Sequence, residues 1–366
     1  MPPPSHDRAL EIDGIRGWAS FSVLLYHTFH EMLVRLLPWM NSGWLAPLFE
    51  GRLAVCVFFV LSGDALSANF LVRGASSMDS IDRLVVRRYT RLTFPILLSC
   101  AMVYVIRMAG ADFHTQASVI ADRPDWLGAV IAFPFSLVGL FRYTLLGVYT
   151  SHTQGNSYNP FLWTMSLEMI GSMLVFLTCY LWPRLKQPKA AVALVALALL
   201  LLNSFLCLFF AGMYLGVLRN EGLYARAGKS GGLQIAILAA FILLILILVV
   251  RHGYHAPLFF DLGLAIAIVF VLYSQQGLKS FLRNGLSTWL GDVSFPIYLV
   301  QFAVIISFES WMMMEWNARR AETAWLPLIG FAAVVVTVLV ASAFRRVERA
   351  GLGYLDSWVL RTLRRD

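Results

Sequence analysis

Arg16 and His27 are two ionisable residues that flank and enter the first long apolar stretch of the chain, eleven positions apart. Eleven residues at 3.6 per turn make almost three turns, so in a helix both side chains lie on one face, about 16 Å apart along the axis. A charged group at the centre of a membrane helix costs about 2.5–3.5 kcal/mol and therefore indicates function. Histidine titrates near neutral pH and can take a proton from a hydroxyl group. The pair predicts a membrane-embedded acid–base site.

Neighbouring acids and a second histidine extend this pattern. Asp13 lies three residues before Arg16 and can pair with it, and Glu31 lies one helical turn after His27 and can orient the ring. A structural interpretation, a hydrogen-bonded core histidine with an arginine that reaches the membrane surface, fits the same residues. His27, His30 and Glu31 do not predict a metal site, because no further ligands cluster nearby in the sequence.

Arginines recur in the next polar segment, at positions 83, 87, 88 and 91. The guanidinium groups of Arg88 and Arg91 share one face if this segment is helical, and arginine binds phosphate in a bidentate manner. Arg87, Arg88 and Arg91 are therefore candidates for binding a cytosolic phosphorylated compound. Positive charge at the inner membrane surface explains the same residues without a ligand.

The segment Trp163-Thr-Met-Ser-Leu-Glu168 opens another apolar run. A carboxylate just inside an apolar helix needs a partner, which is either an arginine or a substrate hydroxyl. Glu168 is thus a second candidate site residue, with a structural ion pair as the alternative.

The composition sets the fold class. Of the 366 residues, 59% are hydrophobic and 14% are charged, against about 25% charged in ordinary soluble domains. The mean hydropathy is +0.70. The chain is therefore predicted to be all-α, a polytopic transmembrane helical bundle. Its net charge of +8 follows from the positive-inside rule and predicts no nucleic-acid partner. Ten spans are predicted, at about 17–36, 53–71, 92–110, 162–182, 187–203, 204–219, 233–250, 257–275, 288–309 and 326–344.

Charge counts favour cytoplasmic N- and C-termini, because this orientation places 21 of the 29 lysines and arginines inside. Two segments stay open: Trp126–Phe141 is apolar but short, and Ala190–Leu218 is long for one span and short for two. Residues 1–11 are predicted to be disordered, 12–345 to form the transmembrane domain, and 346–366 to form an amphipathic tail on the anionic inner leaflet. The spacing of Gly212 and Gly216 indicates close helix packing.

Five motifs in this order resemble the acyltransferase family 3 integral-membrane proteins, and the resemblance covers nearly the whole chain. The matching stretches are Ile12-Asp-Gly-Ile-Arg-Gly-Trp continuing to His27, Phe58-Phe-Val-Leu-Ser-Gly63, Arg88-x-x-Arg91, Leu162-Trp-Thr-Met-Ser-Leu-Glu168, and Leu290-Gly-Asp-Val-Ser-Phe-Pro-Ile-Tyr-Leu299. Two positions depart from the family pattern. Gln301 stands where the family often has a histidine, and Asp64 stands where an aromatic residue is usual.

The resemblance implies a ten-helix O-acyltransferase of the bacterial cytoplasmic membrane. Such enzymes take an acyl group, usually acetyl, from cytosolic acyl-CoA and deliver it to a hydroxyl on a carbohydrate, a glycolipid or another envelope molecule. By resemblance, His27 and Arg16 form the catalytic pair, and Arg88 and Arg91 serve the donor. The missing histidine at position 301 leaves His27 to act alone or with Glu168.

The predicted mechanism has acetyl-CoA or another acyl-CoA docking from the cytoplasm, with its phosphates near Arg87, Arg88 and Arg91 and its pantetheine arm passing Arg16. His27 deprotonates the acceptor, and no metal takes part. Asp13, Trp163 and Tyr298 are predicted to contact the substrate. An acyl-histidine intermediate and a homo-oligomer both stay open. The rival function is a transporter or flippase of a lipid-linked sugar, for which buried charges are equally suitable. A non-catalytic membrane scaffold is a third and weaker alternative.

Overall fold

The computed structural model describes residues 6–73, 81–251 and 257–362, and over these residues the chain forms helices, turns and loops without a β-strand. The predicted all-α class is therefore confirmed. The α-helices are α1 (His6–Leu25), α2 (Gly51–Arg73), α3 (Ile81–Met108), α4 (His114–Ile120), α5 (Leu137–Arg142), α6 (Val148–Thr150), α7 (Thr164–Leu181), α8 (Pro188–Leu201), α9 (Cys207–Asn220), α10 (Leu223–Ala227), α11 (Gly231–Arg251), α12 (Leu258–Ser274), α13 (Gln276–Leu282), α14 (Gly285–Val304), α15 (Ser310–Ala318) and α16 (Leu326–Thr362).

Shorter helical turns join some of these helices. Three are π-helical, with one extra residue in the turn: Tyr26–Glu31, Tyr143–Gly147 and Ile305–Glu309. Single π turns inside helices occur frequently at functional sites. A 3₁₀ turn at Pro160–Trp163 leads into α7.

The chain divides into two compact units. Unit 1 is built from Met1–Val23, Gly43–Val85 and Leu167–Ser294, and unit 2 from Leu24–Ser42, Val86–Ser166 and Phe295–Asp366.

Six helical segments in the described part of the chain are long and apolar enough to cross a membrane: Gly51–Val72, Leu84–Met108, Pro160–Arg184, Gly231–Val250, Gly285–Ala318 and Thr323–Leu355. The bent pair α12 and α13 makes a seventh if it counts as one broken span. The predicted span 17–36 falls on α1 and the π turn after it, and α1 carries several charged residues. The total of ten spans stays a prediction.

The open segment Ala190–Leu218 forms two helices. α8 and α9 have 14 residues each, which is about 21 Å and shorter than a hydrocarbon core of about 30 Å. The break between them contains Asn203, whose φ of 57° lies in the left-handed region.

The other open segment, Trp126–Phe141, is not a spanning helix. The chain runs through turns until Ser136, whose hydroxyl accepts a hydrogen bond from the Gly139 backbone N–H at 3.0 Å and caps α5. The alternative topology in which this segment crosses the membrane as a helix is therefore wrong.

The two terminal segments are more helical than the sequence suggests. α1 begins at His6, so part of segment 1–11, predicted to be disordered, is helical. α16 runs without a break from Leu326 to Thr362, so the last predicted span and most of the predicted tail form one helix.

In unit 1 the helices α2 and α9 pack with their backbones close together. A Cβ atom at Gly212 would overlap the backbone carbonyl of Val60, and one at Gly63 would overlap the carbonyl of Phe209. Small residues allow this approach between membrane helices. The packing interpretation of Gly212 is confirmed.

We expect Gly212→Ala to lower the midpoint of thermal unfolding in detergent, because the added methyl group overpacks the helix crossing at a cost of about 1–3 kcal/mol. Gly263→Ala on α12 is the matched control, since a Cβ there meets nothing within 4 Å and alanine is the better helix former. An unchanged midpoint for Gly212→Ala would contradict the close approach.

Candidate functional site

His27 lies in the π turn Tyr26–Glu31, against the aromatic side chains of unit 2. Its ring stacks on Phe161, with the centroids 3.9 Å apart and the planes 10° from parallel. It also lies parallel to Trp126 at 6.2 Å. The Nδ1 atom is buried without a hydrogen-bond partner among the described residues, whereas the residue as a whole keeps part of its surface exposed. Stacking, not a carboxylate, therefore sets the orientation of this imidazole.

Hydrogen bonds from Asn159 and Tyr298 hold the backbone of Phe161 in place within its 3₁₀ turn. The side-chain oxygen of Asn159 accepts from the Phe161 backbone N–H at 3.1 Å, and the Asn159 amide nitrogen donates to the Ser99 hydroxyl and the Leu299 carbonyl, both at 3.0 Å. The Tyr298 hydroxyl donates to the Phe161 carbonyl. Asn159 is fully buried, so this network fixes the surface on which His27 stacks.

A second network in unit 2 fixes the residues on either side of His27. The Arg123 guanidinium pairs with Glu31 at 2.5 Å and lies over the Trp126 ring, 5.3 Å from its centroid. Glu31 also accepts a hydrogen bond from the Tyr26 hydroxyl. Among the described residues Glu31 therefore binds Tyr26 and Arg123, and the suggestion that it orients His27 is wrong.

Tyr298 and Trp163, predicted to contact substrate, lie in unit 2 close to this turn. The Tyr298 hydroxyl lies 2.8 Å from that of Thr164 and is buried. Trp163 is half-buried at the end of the turn. The structure thus gives Tyr298 a positioning role that the sequence did not suggest, and its predicted substrate contact stays a prediction.

Arg16 and Asp13 lie on α1 within unit 1, where α1 packs on α14. The Ser20 hydroxyl donates to the Ser294 carbonyl at 2.7 Å, and a Cβ at Gly17 would overlap the backbone at Leu290 and Gly291. Burial raises the pKa of Asp13, Arg16 opposes this effect, and the nearby carboxylate of Asp292 adds to it. Arg16 therefore acts electrostatically on Asp13, and a direct ion pair between them stays a prediction.

Glu168 lies near the start of α7, in the part of that helix that belongs to unit 1. Its carboxylate accepts a hydrogen bond from the Ser62 hydroxyl of α2 at 2.8 Å. Glu168 is 8% exposed. The sequence predicted that such a buried acid needs a partner, and Ser62 of the Phe58–Gly63 motif is one.

The three arginines of the donor prediction, Arg87, Arg88 and Arg91, lie on α3 in unit 2. Because this segment is helical, Arg88 and Arg91 share a face, as the prediction required. Arg91 is exposed, and Arg87 and Arg88 are half-buried. Arg91 interacts electrostatically with Glu348 of α16. At least one of these arginines therefore has a partner inside the protein.

The predicted site residues are thus divided between the units. His27, Trp163, Tyr298 and the three arginines of α3 belong to unit 2, whereas Asp13, Arg16 and Glu168 belong to unit 1. The chain from Arg16 to His27 is continuously helical.

Three buried polar residues of unit 2 escaped the sequence-based prediction: Asn159, Arg123 and Glu309. Glu309 ends the third π turn, and both of its carboxylate oxygens are buried without a hydrogen-bond partner in the part of the chain that the structure describes. A buried polar group without a partner needs an explanation. For Glu309 the sequence did carry a signal, a single acid within an apolar run.

Comparison with known proteins agrees with the motifs. A family model described as an acyltransferase domain matches residues 10–344. The chain is similar to the O-acetyltransferase PaAT-1 of Phomopsis amygdali, with 24% identity over 351 residues that cover 79% of this chain and 70% of that protein. No solved structure matches. The chain belongs to the acyltransferase 3 family of integral-membrane proteins.

Proposed function

We propose that this protein is a membrane O-acyltransferase that moves an acetyl group from cytosolic acetyl-CoA, or an acyl group from another acyl-CoA, to a hydroxyl of a carbohydrate or glycolipid acceptor. Family membership supports acyl transfer, and the name of the Phomopsis amygdali relative supports acetyl as the group. The topology of ten spans with cytoplasmic termini, and a bacterial cytoplasmic membrane, remain part of the proposal.

The observation that carries the proposal is the environment of His27. Its imidazole is stacked on Phe161, and Nδ1 makes no hydrogen bond to a described residue. A ring held by stacking keeps its nitrogen lone pair available for a proton. A histidine positioned in this way suits a general base for a hydroxyl group.

His27 carries the proton through both steps of the proposed reaction. The acceptor oxygen bonds to the thioester carbonyl carbon while its proton moves to His27. The carbon–sulfur bond then breaks, and the leaving thiolate of coenzyme A takes the proton from the imidazolium. The imidazole ends neutral, and the products are an ester and free coenzyme A. A two-stage route through an acyl-histidine has the same overall balance.

The other predicted residues receive roles in the same proposal. Arg16 binds the donor or stabilises the negative charge that develops on the thioester oxygen, as cationic donors do in acyl transfer. Glu168 positions the acceptor, and Asp13, Trp163 and the ring of Tyr298 contact it. Arg87, Arg88 and Arg91 serve the donor.

The test of the proposed function uses purified full-length protein in lipid nanodiscs with acetyl-CoA labelled in the acetyl group. Envelope glycans and glycolipids from a strain that lacks the gene supply the acceptor. We expect label to appear in an alkali-labile ester and free thiol to form in equal amount, both detected by mass spectrometry and a thiol reagent. Movement of a lipid-linked sugar across vesicles without any acyl-CoA-dependent product would favour the transporter instead.

We expect Tyr298→Phe to reduce kcat for acyl transfer by about three- to tenfold, because it removes the hydrogen bonds of one hydroxyl, worth about 0.5–1.5 kcal/mol, to the turn that supports His27. The KM for the acceptor should change little. Tyr158→Phe is the matched control, since its hydroxyl binds the Ser136 backbone and does not contact the Phe161 turn. A rise in the acceptor KM with unchanged kcat would instead place the Tyr298 hydroxyl on the substrate.

A further inference from the structure

A cavity of about 510 Å³ lies within unit 1, and its lining includes none of the residues named above for chemistry. It is formed by the end of α9, by α10 and the loop after it, by the end of α12, by α13, and by α1. The residues that matter for its chemistry are Glu11, Arg219, Tyr224, Lys229, Lys279 and Arg283. Its volume falls within the range of about 300–1,000 Å³ that is usual for small-molecule sites.

Cations dominate this cavity, with four basic side chains against one carboxylate. Arg283 pairs with Glu11 at 2.5 Å, and Arg219 pairs with the buried carboxylate of Asp64. Lys229 and Lys279 also line the cavity, and neither forms an ion pair or a side-chain hydrogen bond with any described residue. Lys279 interacts electrostatically with Glu11, but with one carboxylate for four basic side chains the lining keeps a net positive charge.

The concentration of charge is greater than the positive-inside rule requires. That rule places basic residues at the cytoplasmic surface but does not gather them around a concave site. Arg226 illustrates the difference: it lies on α10 among the cavity residues, yet its side chain donates to the Glu221 carbonyl and does not line the cavity. Concave clusters of one charge focus the electrostatic field on a ligand of opposite sign.

Phosphate groups are the anions that suit such a site. Lysine binds phosphate as a point charge, and arginine adds directed hydrogen bonds. The hydroxyl-bearing rings of Tyr224 and Tyr273 also line the cavity and give it an aromatic surface. Glu11 and the basic residues fall in segments that the sequence predicts to be cytoplasmic, the side from which a soluble phosphorylated compound arrives.

We propose that this cavity binds a phosphorylated anion through Lys229, Lys279 and Arg283. The assignment of that anion to the phosphate-bearing end of acyl-CoA rests on the proposed function. The same chemistry is offered by the headgroup of an anionic lipid, and the experiment separates these two sources. The site lies in unit 1, whereas the arginines predicted to serve the donor lie on α3 in unit 2.

The test measures binding of coenzyme A and of adenosine 3′,5′-bisphosphate to the purified full-length protein by calorimetry, in a neutral detergent and without acceptor. We expect the double variant Lys229→Gln/Lys279→Gln to raise both dissociation constants at least about tenfold, which corresponds to about 1.4 kcal/mol. The control Arg226→Gln removes one positive charge outside the cavity and should change them less than about twofold. Each lysine variant is checked for an unchanged unfolding midpoint without ligand.

The lipid source is tested in nanodiscs of zwitterionic lipid with and without an anionic phospholipid. If the double variant binds coenzyme A normally but loses thermal stabilisation by the anionic lipid, the cavity binds a lipid headgroup and the assignment to the donor is overturned. If neither coenzyme A nor lipid distinguishes the double variant from Arg226→Gln, the cavity proposal is overturned as a whole. If Arg88→Gln loses coenzyme A binding while the double lysine variant binds it normally, the phosphates lie on α3 and the donor assignment is overturned.

These results can be told apart from failure of the proposed function. Lysine-dependent binding of coenzyme A by a protein that transfers no acyl group to any acceptor would leave the cavity standing and overturn the enzyme proposal. If the protein transfers acyl groups but binds the donor independently of both lysines, the enzyme proposal stands and the assignment of the cavity to the donor is overturned.

Discussion

Replacing His27 by glutamine or phenylalanine is expected to reduce kcat for acyl transfer by about 10²- to 10⁴-fold, the usual contribution of a positioned general base. The phenylalanine variant is the more informative of the two, because its ring can still stack on Phe161 as the imidazole does at 3.9 Å. It removes the nitrogen atoms and keeps the aromatic contact. The measurement is the rate of labelled ester formation by purified protein in nanodiscs, at saturating acyl-CoA.

His30→Gln is the matched control for these variants. His30 lies in the same π turn and its ring stacks on Tyr26 with the centroids 5.4 Å apart, so the substitution disturbs the same helical segment without removing the proposed base. We expect it to retain activity within about threefold. If His27→Phe kept wild-type activity with normal folding, the imidazole would serve packing only and the acid–base proposal would fail.

Loss of the Asp64 carboxylate is expected to have the largest effect on stability. Asp64 is completely buried in unit 1, where its carboxylate pairs with Arg219 and accepts a hydrogen bond from the Tyr273 hydroxyl at 2.7 Å. The Arg219 guanidinium also lies 4.1 Å from the centroid of the Tyr273 ring. Asp64→Ala leaves the guanidinium of Arg219, whose side chain is 16% exposed, without this carboxylate, and breaking a buried pair costs about 3–5 kcal/mol. At about 2 °C per kcal/mol, Asp64→Ala should lower the unfolding midpoint by about 6–10 °C.

The pairing itself is tested by two further variants. Asp64→Asn with Arg219→Gln removes both charges and should be more stable than Asp64→Ala alone, because no unpaired ion remains. Asp261→Ala is the comparison on α12, where the partner Arg52 is 48% exposed and water can solvate it. We expect a smaller loss there. Equal losses for Asp64→Ala and Asp261→Ala would show that the buried ion pair is not what holds α2, α9 and α12 together.

Asp64 also shows how a departure from a family pattern can be interpreted. An acid stands where the family usually has an aromatic residue, and the sequence offers no reason for it. The structure supplies one, because Arg219 and Tyr273 converge on this carboxylate from helices that are 155 and 209 residues away in the chain. Asp64 is therefore part of a buried polar network between distant helices, and a search for local motifs cannot detect such a network.

The sequence was least informative about partners of buried polar groups. Glu31 was a reasonable guess for orienting His27, because residues four apart are neighbours on a helix. Local π-helical geometry and the distant Arg123 instead direct its carboxylate to the Tyr26 hydroxyl and the guanidinium. Asn159 has no unusual neighbour in sequence, yet its amide joins Ser99, Phe161 and Leu299.

The sequence by itself determined the helical membrane class, the family and the candidate base, because hydropathy and short motifs are properties of consecutive residues. Tertiary structure decided which aromatic rings hold His27, that Ala190–Leu218 breaks into two short helices, and that basic residues from separate segments line one cavity. The physical reason is that helices of uniform apolar character can pack in many ways. The arrangement that forms is selected by close backbone approach at glycines and by pairing of buried charges between residues far apart in the chain.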